Sequence, residues 1–187
     1  MVTKTFDRLR KEIENKDKTR EELIVGSRPI IKDSKQAIYA IHRGSVAEAE
    51  KLIQKASRGL DELRRLPDQK SSSFDSAVQE YVEAVTYLEY VKTGKLADEK
   101  EINADPENYL LGICDLTGEL ARRAVFSVVK EDFKEVEKIK EFVSRIYEEF
   151  LKFELRNSEL RKKSDSIKWN LKKIEEILYD LKIRGKL

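Results

Sequence analysis

Two stretches of this chain carry carboxylates and no base. Residues 71–91 hold Asp75, Glu80, Glu83 and Glu89, and residues 101–121 hold Glu101, Asp105, Glu107, Asp115 and Glu119, yet neither contains a Lys or Arg. Lys and Arg make up 38 of the 187 residues. At that frequency each stretch should hold about four. On a solvated helix Glu and Lys alternate at i, i+4, because such pairs stabilise the face. Acids kept apart from bases suit a different cation, and a divalent metal is the natural candidate. All-oxygen ligation favours Mg2+, with Mn2+ as the alternative, over Zn2+ or a soft metal.

Glu80 and Glu83 stand one turn apart, about 60° around a helix axis, and Asp115 and Glu119 lie at i, i+4, about 40° apart. Val78, Tyr81, Val82, Val85 and Leu88 take the side opposite the first pair. Ala77, Ala84 and Tyr87 flank it, which predicts an acidic and uncrowded face. Gly112 and Gly118 bracket Asp115 at i−3 and i+3. A helix-interior Gly costs about 1 kcal/mol against Ala, so this placement predicts close approach of a ligand or another backbone. Antiparallel packing of the two acid-bearing helices would gather all four carboxylates, and a hard divalent ion would relieve their repulsion. The competing reading is a solvated acidic face. A di-iron centre needs a Glu-x-x-His element from each of two helices, and the single histidine, His42, sits elsewhere.

A second pattern is cationic. Arg28, Lys32, Lys35, Tyr39 and His42 follow steps of 4, 3, 4 and 3, one stripe of a helix with Leu23, Ile30, Ala37, Ile38 and Ile41 on its other side. A row of cations with an aromatic among them suits a phosphate backbone with a base to stack. A solvated face paired with acids of neighbouring helices explains it equally well. Arg122 and Arg123 follow Glu119 at i+3 and i+4, so intrahelical ion pairs are expected, although Arg122 faces the acid side and could hold a phosphate. Arg161, Lys162 and Lys163 open the last helix and are assigned to no site. Core packing is expected of Trp169 and Tyr179.

The elements that must position these groups are helices. Charged residues are 40% of the chain, with only 7 Gly and 3 Pro, too little turn chemistry for a sheet protein. A first helical region runs from Thr3 to Arg43, where Pro29 should kink or interrupt it. Gly44 ends it, and Ser45 with Glu48 forms a capping box for a second helix, which Pro67 stops. That helix faces inward through Ala49, Leu52, Ile53, Ala56, Leu60 and Leu63. Residues 74–92 form a third. Asp105 as N-cap and Pro106 at the first position open a fourth, which runs to Val129. Residues 131–153 and 158–183 supply two more. The expected fold is all-α, a single-domain antiparallel helical bundle of about six or seven helices over residues 1–187. Cys114 is the only cysteine, which excludes an internal disulfide and suits an intracellular compartment. Met1 to Lys16 lacks the apolar core of a signal peptide, and no apolar run spans a bilayer. A soluble cytoplasmic protein with no membrane partner is expected. The net charge of +2 gives a monomer little power to focus a polyanion, so an assembly that repeats the basic stripe is expected.

The residues resemble a known family. Gln79-Glu80-Tyr81-Val82-Glu83-Ala84, and Tyr109 to Gly112 with Asp115-Leu116-Thr117-Gly118-Glu119-Leu120, resemble motifs of translin and Trax, the translin-associated factor X. Ser27-Arg28, Ser34-Lys35 and Ile41-His42-Arg43 are similar to the family's N-terminal signature. Lys172 to Glu176, Tyr179 to Leu181 and Ile183-Arg184-Gly185 are similar to its C-terminal one. The resemblance implies an all-helical fold assembling into a hollow, closed shell of six to eight subunits that binds single-stranded RNA and DNA. The acid motifs are Trax-like, which implies a metal-dependent endoribonuclease with catalytic Glu80, Glu83 and Asp115, the same three as metal ligands, and Glu119 close by. The final helix, from Asn157, is translin-like, so one chain is expected to serve as a self-sufficient homo-oligomer. Arg28, Lys32, Lys35, Tyr39 and Arg122 are the expected RNA contacts. The alternative is a non-catalytic binder of single-stranded RNA or DNA, as translin-type subunits are.

Overall fold

A computed structural model describes residues 2–156 and 159–187. Seven helices are found among them: α1 Val2–His42, α2 Val46–Leu63, α3 Ser72–Thr93, α4 Glu99–Ile102, α5 Pro106–Val129, α6 Phe133–Phe150 and α7 Glu159–Ile183. No strand occurs among the described residues, so the all-α expectation holds. Asn157 and Ser158, where the last helix is expected to begin, lie outside the described residues. None of these helices is long and apolar enough to cross a membrane. The chain divides into two compact units, Met1–Leu88 and Glu89–Leu187.

In the first unit α1 and α2 pack as an antiparallel hairpin turned at Gly44, whose φ of +80° favours glycine. Leu23, Ile30, Ala37 and Ile41 of α1 and Ala49, Ile53, Ala56 and Leu60 of α2 are buried. Two glycines set the helix separation. A Cβ on Gly26 would lie 2.6 Å from Leu63 Cδ2, and one on Gly59 would lie 2.9 Å from Ile30 Cγ1. Lys55 reaches across to the buried Asp33 at 2.9 Å. Helix α1 runs through Pro29 without a break. Pro29 is exposed, as is Val25 one turn back, so the carbonyl that loses its amide partner faces water. Ser45 is the N-cap of α2 but its side chain makes no capping bond, and the reciprocal half of the box is also missing, since the Glu48 carboxylate pairs with Arg43 at 3.1 Å while the Ser45 amide donates to the Ala40 carbonyl.

In the second unit α5 packs against both α6 and α7, and α6 against α7. Their start signals are carboxylate caps. The Asn108 amide donates to Asp105 at 3.0 Å, the Glu135 amide to Asp132 at 3.2 Å, and the Lys100 amide to Asp98 at 2.9 Å. The last of these opens the short α4, an element beyond those expected from the sequence pattern. Asn170 of α7 donates to the Thr117 hydroxyl of α5 at 2.9 Å, and this bond fixes the two helices in register. Trp169 and Tyr179 are 64% and 66% exposed, not core residues. The buried positions of α7 are Leu160, Ile167, Ile174 and Leu181, one narrow stripe.

Candidate metal and nucleic-acid site

The acid pair on α3 does not sit on an open face. Ala77, Ala84 and Tyr87 are fully buried, and Glu83 itself is 8% exposed. The expected uncrowded surface is therefore wrong, because α3 is enclosed on nearly all sides. Glu80 is less deep, and its carboxylate meets Lys35 Nζ at 3.1 Å. Holding a carboxylate such as Glu83 away from water is costly unless cations or hydrogen bonds meet it.

The pair on α5 is half-buried. Lys163 Nζ of α7 stands 2.6 Å from Asp115 Oδ2, with the lysine side chain 26% and the aspartate 35% exposed. Glu119 pairs with Arg122 of its own helix at 3.7 Å. Arg123 turns away to Glu135 of α6 at 2.8 Å, where an intrahelical pair with Glu119 was expected. Glu80 and Asp115 thus receive their bases from other helices, and Glu119 from its own. The signal for Lys163 is present in the sequence: three bases open the last helix, where the helix dipole disfavours cations. Such a triplet calls for an anion beside it.

Gly118 does not mark a tight approach. A Cβ there would lie 3.7 Å from Asn170 Nδ2, an ordinary contact. The close-approach glycines are Gly26 and Gly59, which have no acid motif around them to single them out. Cys114, next to Asp115, is buried and its thiol is pushed up to about 12 by desolvation first and by Asp115 second. It stays neutral, so the donors here are carboxylate oxygens alone.

The basic stripe divides by role. Arg28 and Lys32 are exposed. Lys35 serves Glu80. Tyr39 is 54% exposed and lies under the Arg43 guanidinium, 5.3 Å from its ring centroid. His42 is half-buried and shares a 3.1 Å hydrogen bond with the Tyr87 hydroxyl. Arg122 also covers the Phe126 ring at 5.7 Å.

Among the described residues, no group of three or more His, Cys, Asp or Glu side chains is arranged to hold an ion. Carboxylate oxygens are donors suited to a hard cation; within the first unit Glu80 is met by the Lys35 ammonium, and within the second Asp115 is met by that of Lys163.

An all-helical protein with carboxylates on two helices and cations drawn from others has solved counterparts. The structure of an AfC3PO–duplex RNA complex superposes with a TM-score of 0.87 at 28% identity, over 96% of this chain and 97% of that one. Apo-NeC3PO gives 0.83 at 27%, over 91% and 94%. The Translin family model matches residues 18–185, and the chain belongs to that family. It is 29% identical to rat (Rattus norvegicus) Translin-associated protein X over 98% of this chain and 79% of the relative. It is 42% identical to chicken (Gallus gallus) Translin over a shorter span, 46% of this chain and 38% of the relative.

Proposed function

We propose that this chain is a metal-dependent endoribonuclease that binds and cleaves single-stranded RNA within a closed homo-oligomer in the cytoplasm. The observation that carries this reading is the oxygen-only acid set Glu80, Glu83 and Asp115 in Trax-like motifs, two of whose members already attract a cation. These three are the proposed ligands of Mg2+, or of Mn2+, with Glu119 beside them. A bound ion there supplies Lewis-acid activation of water and neutralises charge developing on the phosphodiester. The chain's own groups do the rest. Arg28 and Lys32 are exposed cations that attract the strand, and Tyr39 offers an exposed ring for stacking. Arg122, 45% exposed at its side chain, is placed to meet a phosphate. Hydrolysis by water leaves 3′-hydroxyl and 5′-phosphate ends. The relatives named Translin-associated protein X support the Trax-type assignment. The duplex RNA in the AfC3PO complex supports RNA as the ligand class.

A second reading, a non-catalytic binder of single-stranded RNA or DNA, is favoured by one observation. Lysines already neutralise Glu80 and Asp115, as they would in a protein whose acids are purely structural. End-labelled single-stranded RNA incubated with the purified chain in Mg2+ and in EDTA separates the two. Cleavage in Mg2+ that EDTA abolishes supports the enzyme. Retention of intact RNA in both supports the binder.

A further inference from the structure

Two of the three proposed ligands are salt-bridged to lysines that their own sequence neighbourhoods lack. Lys163 comes from α7 and Lys35 from α1. The two bridges differ in quality. Lys35 is 63% exposed and its bridge is 3.1 Å long, so solvent screens it. Lys163 is 26% exposed and stands 2.6 Å from Asp115, a charge-assisted contact at the short end of the range. The Asn170–Thr117 bond holds α7 against α5 within two turns of this pair, so Lys163 is not free to drift. The face of α5 beside it stays low, because Gly118 has no side chain and meets only Asn170 in ordinary contact.

An ammonium group and a hard divalent ion compete for the same carboxylate oxygens. We propose that Lys163 is a positioning residue for metal: it holds Asp115 in the metal-free chain and must yield it as the ion arrives. Lys163 thereby sets the metal concentration at which the site loads. Lys35 does the same for Glu80 more weakly, since its bridge is longer and more exposed. This inference rests on the reading of Asp115 as a metal ligand. It differs from the structural bridges Lys55–Asp33 and Arg123–Glu135, which tie helices together around acids outside the proposed ligand set.

The test is Mn2+ affinity of the full-length chain without RNA, followed by electron paramagnetic resonance of free Mn2+ and by calorimetry at low ionic strength. Lys163→Met and Lys163→Gln remove the competing charge while keeping much of the stem. Each is expected to bind Mn2+ about five-fold more tightly, the effect of one partly exposed ion pair. Lys163→Arg keeps the charge and should stay within about two-fold of the parent chain. A structural role alone would lower thermal stability in the Met and Gln variants without tightening Mn2+ binding. Unchanged or weaker Mn2+ affinity in both neutral variants, with the parent chain still binding, overturns the competition and leaves the nuclease reading standing. Failure of the parent and every variant to bind Mn2+ overturns both.

Discussion

Asp115→Asn separates chemistry from stability, because the structure fixes how much stability the change removes. The substitution keeps the side-chain shape and abolishes the charge opposite Lys163, 2.6 Å away. Both partners retain about a quarter to a third of their side-chain exposure, so the bridge belongs near the top of the range for exposed pairs, about 1 kcal/mol. In a domain of this size that lowers the melting temperature by about 2–4 °C. Starting from a stability of roughly 5–15 kcal/mol, a decrease of about 1 kcal/mol leaves well over 99% of molecules folded. Unfolding therefore removes essentially no activity. Loss of a ligand charge acts on the rate directly. Even outer-shell partners of a metal cost about 10–100-fold when removed, so a direct ligand should cost at least about 100-fold. The assay pairs differential scanning fluorimetry with Mg2+-dependent cleavage of end-labelled single-stranded RNA. A drop of a few degrees with undiminished cleavage would refute the assignment, since Asp115 would then be a partner of Lys163 and nothing more.

Glu83→Gln should also abolish cleavage, because it removes a proposed ligand's charge at a buried position, 8% exposed; full activity would remove it from the site. Charge reversal at the exposed Arg28 and Lys32 should weaken RNA binding and flatten its salt dependence by about 0.7 in slope for each phosphate no longer neutralised. An unchanged slope in a filter-binding titration would mean that this stripe faces something other than the strand. Gly59→Ala should destabilise by about 1–3 kcal/mol, because its Cβ would fall 2.9 Å from Ile30. Gly118→Ala, with 3.7 Å to Asn170, should instead gain up to about 1 kcal/mol from helix propensity, and equal melting temperatures for the two variants would contradict this packing.

Where a helix begins and ends is largely legible in the sequence, since the signals are local. Asp105 caps α5 and Gly44 ends the first hairpin helix as their residue types require. The errors lie where a tertiary partner overrides a local one. Ser45 and Glu48 have the spacing of a capping box, yet Arg43 captures the glutamate. Pro29 is a helix breaker by propensity, yet its orphaned carbonyl faces solvent and the helix continues. Asp98 caps α4, and the run from Asp98 to Glu101 carries that signal, although a helix of four residues is too short to show a periodic pattern. Glycines cannot be ranked from sequence. Gly118 looks constrained because it neighbours an acid, whereas Gly26 and Gly59 are constrained by side chains about thirty residues or more away along the chain.

The same distinction governs the site. A base-free stretch says only that no cation is nearby in sequence, and a helix packed among others also meets side chains from those helices. Lys35 lies 45 residues before Glu80 and Lys163 lies 48 after Asp115, so neither bridge is visible to an i, i+4 count. The missing local bases mean that the counter-charges of Glu80 and Asp115 arrive on other helices. The Arg122–Glu119 pair, by contrast, is local to one turn of α5. Glu80 and Asp115, both in the set matched to the Trax-like motifs, are charge-balanced across helices. A bridge from another helix also serves a structural acid, as Lys55 does Asp33, so the metal-ligand reading needs in addition that an ion can take the lysine's place. The preference for the nuclease over the binder rests on the Trax-like motifs that hold Glu80, Glu83 and Asp115, and Mg2+-dependent cleavage is its test.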